Sequence, residues 1–200
     1  MKVPIRSEHP EPRKIRRAVD AIERGGVIAY PTDTVYGLGC DIFQKKAVDA
    51  LYRIKRMPKG HPVAFVCPDL SDIARFAMVD NHAYRMMRHL LPGPYTFILP
   101  ATREVPRVLM MKRRTVGIRV PAHDVAQALV RELGHPIVSS SATWEGEMLN
   151  DPDVIDARFK GLALVLDAGL GGIAPSTVID LTEDEPVVVR EGAGPVDVLQ

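Results

Sequence analysis

The stretch VIAYPTDTVYGLGC, Val27–Cys40, decides how the chain is read. It opens on Val27-Ile28-Ala29-Tyr30, a short run suited to a strand, which Pro31 closes. Three hydroxyl side chains, Thr32, Thr34 and Tyr36, and two glycines, Gly37 and Gly39, follow at once. A polar, glycine-bearing segment directly after a strand suits a ligand loop at the end of a sheet. It is not a Walker loop, because the Gly-x-x-x-x-Gly-Lys-Ser/Thr spacing is missing.

On the N-terminal side, Pro12–Arg24 reads as an amphipathic helix with Ile15, Ala18, Val19 and Ile22 on one stripe, ended by Gly25-Gly26. On the other side, Gln44–Arg56 reads as a helix turning Ala47, Ala50, Leu51 and Ile54 inward. Leu70–Met78 and Asn81–Leu91 are shorter helices, for which Ser71 and Asn81 are the predicted caps. His123–Leu133 is a further helix, stopped by Gly134. Strands are predicted at Pro62–Cys67, Tyr95–Leu99, Thr115–Val120, Ile137–Ser140, Leu162–Asp167 and Ser176–Leu181. Pro186–Arg190 should pair back on the last of them across the acidic turn Thr182–Glu185. The alternation predicts one α/β domain with a mixed sheet over residues 1–200 and no second domain.

Composition bounds the function classes. Of 200 residues, 46% are hydrophobic and 26% charged, which fits a soluble globular chain and excludes disorder, collagen repeats and a coiled coil. Apolar runs such as Leu162–Leu166 fall far short of the roughly 20 residues of a membrane span. No apolar stretch of signal-peptide length opens the chain, so a cytoplasmic protein with no membrane partner is expected. Cys40 and Cys67 read as two buried free thiols, too few for a disulfide scaffold or a zinc site. The net charge of +1 hides an asymmetry: 22 Lys+Arg against 11 Asp+Glu over Met1–Val120, then 4 against 14 over Pro121–Gln200. Either the first part meets an anionic ligand, or the fold interleaves both parts and mixes the charges.

Three further polar segments fit no periodic element. Lys55-Arg56-Met57-Pro58-Lys59-Gly60-His61-Pro62 places cations where a helix stops, as a phosphate clamp or as a complement to the helix dipole. Gly117-Ile118-Arg119-Val120-Pro121 puts an arginine in an otherwise apolar strand, where it needs an anionic partner or exposure. With it goes Ser139-Ser140-Ser141-Ala142-Thr143-Trp144-Glu145-Gly146, whose hydroxyls and amides can meet phosphate or carboxylate oxygens. The last is Pro175–Asp180, with Arg190 in the facing strand. No His–Asp pair stands at a spacing that would make a serine nucleophilic, no Cys/His set has metal-ligand spacing, and no Gly-x-Gly-x-x-Gly follows a strand.

In order, Pro31–Cys40, Lys55–Pro62, Pro92-Gly93-Pro94-x-Thr96, Gly117–Pro121, Ser139–Ala142, Ser176-Thr177-Val178 and Arg190-x-Gly192 resemble the YrdC-like family, threonylcarbamoyl-AMP synthases and their relatives. The resemblance runs from about Arg13 to Gly194, and the wording of Lys55–Pro62 and of Val187–Gly192 is similar to the YciO-like branch. It implies a twisted mixed β-sheet flanked by helices, a single domain with a concave basic cleft. It implies condensation of L-threonine, bicarbonate and ATP with Mg²⁺ to threonylcarbamoyl-AMP and pyrophosphate, for t6A modification of adenosine 37 in tRNAs. No tightly bound cofactor and no protein-held metal is implied.

On matching positions, Thr32, Tyr36, His61, Thr96, Arg119, Ser139 and Ser176 would meet threonine. Lys55, Ser141, Thr143 and Arg190 would meet the nucleotide, and Lys55, Arg56 and Arg119 would carry catalysis. The chain departs from the family wording at Met57, where synthases typically have arginine, at Thr143, where asparagine is usual, and at Glu145, where a hydroxyl is usual. A second function class therefore stands beside the first: a relative that binds double-stranded RNA or tRNA through Lys112, Arg113 and Arg114 without efficient synthase activity.

Overall fold

A computed structural model describes residues 1–58, 60–183 and 185–197, with Lys112 described by its backbone alone. Lys59, part of the predicted cationic loop, lies outside the described residues. The elements run β1 (Lys2–Pro4), α1 (Pro12–Glu23), β2 (Ile28–Tyr30), β3 (Gly37–Asp41), α2 (Lys45–Ile54), β4 (Ala64–Val66), α3 (Leu70–Phe76), α4 (Asn81–Leu90) and β5 (Tyr95–Pro100). A 3₁₀ turn at Lys112–Arg114 leads to β6 (Thr115–Arg119), α5 (Asp124–Leu133), β7 (Ile137–Ser141), β8 (Thr143–Trp144), β9 (Glu147–Met148), α6 (Pro152–Arg158), β10 (Leu164–Asp167), β11 (Thr177–Asp180) and β12 (Val187–Arg190).

Ten of these strands form one mixed sheet in the order β1-β10-β2-β3-β7-β4-β6-β5-β11-β12. Helices cover both faces. Helices α1 and α5 bury Ile15, Val19, Ile22, Leu129 and Val130 against Ile28, Ile137 and Leu164 on one face. The opposite face packs α2, α3 and α4, through Leu51, Ile73, Phe76 and Met87, on Leu38, Phe65, Phe97 and Ile118. The sheet interleaves early and late segments, since β10 lies between β1 and β2 and β7 between β3 and β4. Interleaving therefore prevails over the charge asymmetry of the two halves: Lys2 pairs with Asp153 and Asp167, and Arg16 with Glu132.

The sequence reading needs correction at several places. Residues 37–41 are a fully buried strand, not the tail of a ligand loop. Gly37 and Gly39 serve close approach there: a Cβ on Gly37 would lie 2.9 Å from both Ser139 Oγ and the Tyr30 ring. Strand β7 runs one residue past the predicted Ser140, so that all three serines Ser139–Ser141 belong to it. Helix α3 is capped by Asp69 and α4 by Asp80, whose carboxylates accept from helix amides, instead of by Ser71 and Asn81. The buried stripe of α2 is Ala47, Val48, Leu51 and Tyr52, with Ala50 and Ile54 only partly covered. Strand β1, the β8–β9 hairpin and α6, opened by Asp151 as cap and Pro152, were not foreseen.

Overpacking at a site this close is expected to cost about 1–3 kcal/mol. Gly37→Ala should lower the urea unfolding free energy by that amount at unchanged m-value.

Candidate active site

A cleft of about 440 Å³ opens where the ends of β4, β6, β7 and β11 meet the β8–β9 hairpin. Lys55, His61, Thr96, Arg119, Ser139, Ser141, Thr143, Ser176 and Arg190 all line it, so nine of the sequence-selected positions converge from across the chain. Met57, Met111 and Met148 line it too, with Glu145 as the only carboxylate among the lining residues described.

Each polar wall residue is held by its neighbours. Lys55, just past the end of α2, donates from Nζ to the carbonyls of Ser141 and Thr143 (3.3 Å to the latter). Ser139 Oγ accepts from the buried Tyr30 hydroxyl at 2.6 Å. The Thr96 and Ser176 hydroxyls, on paired strands, lie 2.8 Å apart. Arg190, paired with Val178 across the last hairpin, donates to the Ser176 carbonyl at 2.7 Å. Ser140 and Thr143 turn their hydroxyls to the sulfurs of Met57 and Met148. The His61 ring is exposed at the rim, and its carbonyl accepts from Tyr52.

Arg119 has the anionic partner that its apolar strand demanded. Its Nη2 donates to Asp33 Oδ1 and to Thr34 Oγ1 (2.6 Å), and the side chain is buried. Sequence reasoning missed Asp33, although an arginine in an apolar strand was a signal that some carboxylate must face it. The positive charge of Arg119 is still felt across the cleft: burial first, then Arg119, lowers the pKa of the Arg190 guanidinium. Two like charges facing one space favour an anion between them.

Three expected site residues lie elsewhere. Tyr36 is fully buried, its hydroxyl donating to the Gly169 carbonyl and accepting from Ala168 N–H, while burial pushes its pKa up to about 12. It props the loop after β10. Thr32 stands behind the cleft wall, donating to the Val35 carbonyl at 2.6 Å and touching Arg119 Nη2 at only 3.4 Å. Arg56 points away because α2 has ended and its backbone is left-handed (φ 53°); its guanidinium stacks on Trp144 at 4.5 Å. Met57 takes the cleft side instead. Arg113 and Arg114 are exposed on a different groove, beside Met78 and Arg103, and the Lys112 side chain lies outside the described residues.

The β8–β9 hairpin forms the outer wall. Its turn residues Glu145 (φ 50°) and Gly146 (φ 88°) are both left-handed, the geometry of a tight two-residue hairpin. Trp144 anchors it, edge-on to Phe159 and face-on to Arg56.

Known proteins resemble this chain over most of its length. The family model Sua5_yciO_yrdC, described as "Telomere recombination", matches residues 20–192. The uncharacterized protein YciO of Escherichia coli is 46% identical over 196 residues, 96% of this chain and 95% of that protein. Its crystal structure superposes with a TM-score of 0.95 over 100% of this chain and 99% of that one. The structure of Pyrococcus abyssi Sua5 complexed with L-threonine is 33% identical and superposes with a TM-score of 0.92, over 98% of this chain and 59% of that one. A threonylcarbamoyl-AMP synthase of Hydrogenovibrio crunogenus is 37% identical over 172 residues, 82% of this chain and 91% of its own length.

Burial lowers the Lys55 pKa from 10.5 to about 8. The unfolded chain therefore binds the extra proton between those values, and stability rises as pH climbs from about 8 towards 10.5. A depression of this size corresponds to a few kcal/mol, on the order of 3, against the folded state below pH 8. Lys55→Met is expected to flatten that alkaline rise in a pH series of denaturation midpoints.

Proposed function

This chain belongs to the Sua5/YciO/YrdC family, and on that footing we propose that its cleft performs the threonylcarbamoyl-AMP synthase reaction. The observation that carries this reading is the meeting of Lys55, Arg119 and Arg190 around the hydroxyls of Thr96, Ser139 and Ser176. A small polar niche beside a cationic wall suits a hydroxy amino acid next to a nucleotide phosphate. That a relative's structure holds L-threonine supports threonine as the amino acid.

In this reading the amine of threonine attacks bicarbonate, water leaves, and N-carboxythreonine forms. Its new carboxylate attacks the α-phosphorus of ATP; the bond from that phosphorus to the bridging oxygen breaks, and pyrophosphate leaves. No protein nucleophile is needed. Arg119 takes the threonine carboxylate, Ser176 and Thr96 its hydroxyl and amine, and Lys55 and Arg190 the charge that builds on the phosphates. Mg²⁺ enters as part of Mg·ATP, held mainly by phosphate oxygens and water. The β8–β9 hairpin shields the mixed anhydride from water. The reading sets the protein in the cytoplasm and the product in the t6A modification of tRNA.

The Met57-for-arginine exchange makes this a slow synthase, because one phosphate contact is absent while Arg56 stacks on Trp144. The alternative, RNA binding without efficient turnover, draws on Arg113 and Arg114, exposed and apart from the cleft wall.

Incubation with ATP, Mg²⁺, bicarbonate and L-threonine is expected to release pyrophosphate only when threonine is present. Losing one charged contact of about 2 kcal/mol should cut that release roughly thirtyfold in Lys55→Ala and in Arg119→Ala. Met57→Arg should raise it. No threonine-dependent release would overturn the synthase reading and bring RNA binding forward.

A further inference from the structure

Among the described residues, all the hydrogen bonds of the Arg119 guanidinium pass through one nitrogen. Nη2 reaches Asp33 Oδ1, Thr34 Oγ1 at 2.6 Å and, more weakly, Thr32 Oγ1 at 3.4 Å. Nε is buried with no hydrogen-bond partner among the described residues. Nη1 is thus the nitrogen left for the cleft that Arg119 lines.

The acceptors are themselves fixed. Asp33 spends its second oxygen on Ala122 N–H at 3.0 Å, tying the end of β6 to the start of α5. Thr32 Oγ1 accepts from Thr34 N–H and donates to Val35 O, which stiffens the segment between β2 and β3. Gly172 closes it from outside, where a Cβ would sit 1.9 Å from the Thr34 carbonyl oxygen. Both members of the Asp33–Arg119 pair keep only 10% of their side-chain surface exposed.

We propose that Asp33 is a positioning residue: it pins Arg119 by Nη2 and presents Nη1 to a carboxylate in the cleft. The chemistry of the guanidinium gives this a further consequence. Both bidentate grips, Nε with Nη2 and Nη1 with Nη2, use Nη2, whose two hydrogens Asp33 and Thr34 occupy. An incoming anion therefore meets Nη1 alone, and its second oxygen falls to another hydroxyl of the cleft wall. A single free nitrogen beside a paired carboxylate suits a monoanionic carboxylate better than a polyanionic triphosphate, which draws more on net positive charge. Asp33 also offsets part of the Arg119 charge, so the triphosphate is left to Lys55 and Arg190. That this carboxylate is threonine's rests on the proposed function; the pinning of Arg119 does not.

The test uses the full chain labelled with ¹⁵N-arginine, with the Arg119 signals assigned by their loss in Arg119→Lys. Pinning slows rotation of the guanidinium, so Arg119 is expected to show separate Nη1 and Nη2 resonances at a temperature where exposed arginines show one average. Asp33→Asn should merge the pair, and Thr34→Val, which keeps the carboxylate, should leave it split. In calorimetry Asp33→Asn should weaken L-threonine binding about tenfold and ATP binding less than twofold, a split that general unfolding would not produce. A merged Arg119 signal in the wild-type chain overturns the proposal even where Asp33→Asn fails to fold. So does a split signal that survives Asp33→Asn. Split signals in a wild-type chain that does not bind threonine would instead sink the threonine reading and leave the clamp standing.

Discussion

Strand β3 can lie between β2 and β7 only because Gly37 and Gly39 offer no Cβ to the ring of Tyr30. That ring is fully buried and its hydroxyl ends on Ser139. Here a tyrosine lies across two glycines and sets the spacing of three strands. The rest follows from it. With β3 in place, β7 carries Ser139–Ser141 to the cleft, and the segment before β3 carries Asp33 and Thr34 to Arg119. A larger side chain at either glycine would disturb the sheet and the site together.

Much of the fold was legible because hydrophobic periodicity reports burial directly. The stripe Ile15, Ala18, Val19 and Ile22 is buried as read; the last hairpin pairs as read, although the residues of β12 stay exposed. The strand Gly37–Asp41 was not legible. Its glycines look like loop residues until the Tyr30 ring they accommodate is known, and that contact is tertiary. The same limit governs the site. Arg119 announced that it needed an anion, but its partner lies 86 positions away in sequence, and nothing local marks Asp33 above Thr32 or Tyr36. Tyr36 looked like a ligand hydroxyl because composition cannot tell a cleft from the underside of a loop. Arg56 was misplaced for a geometric reason: a helix that stops at Ile54 no longer carries its phase forward.

Charge is sorted by depth rather than by chain half. On the surface the acids of the second half meet the bases of the first, as in the contacts of Lys2 with Asp153 and Asp167. Such exposed pairs contribute little to stability. The cleft keeps cations of both halves, Lys55 and Arg119 from the basic one and Arg190 from the acidic one. Burial makes two of these charges costly to hold: it lowers the Lys55 pKa to about 8 and, together with the charge of Arg119, lowers that of Arg190.

The sequence contains one tryptophan, and the fold sets it in the hairpin that walls the cleft. Trp144 has a guanidinium against its face and the ring of Phe159 at its edge. Ultraviolet emission excited at the red edge of the absorption band therefore arises from a single indole, in the wall of the cleft. The chain carries a built-in optical probe. Any shift of the hairpin changes the field that the Arg56 cation exerts on that indole, and with it the colour of the emitted light.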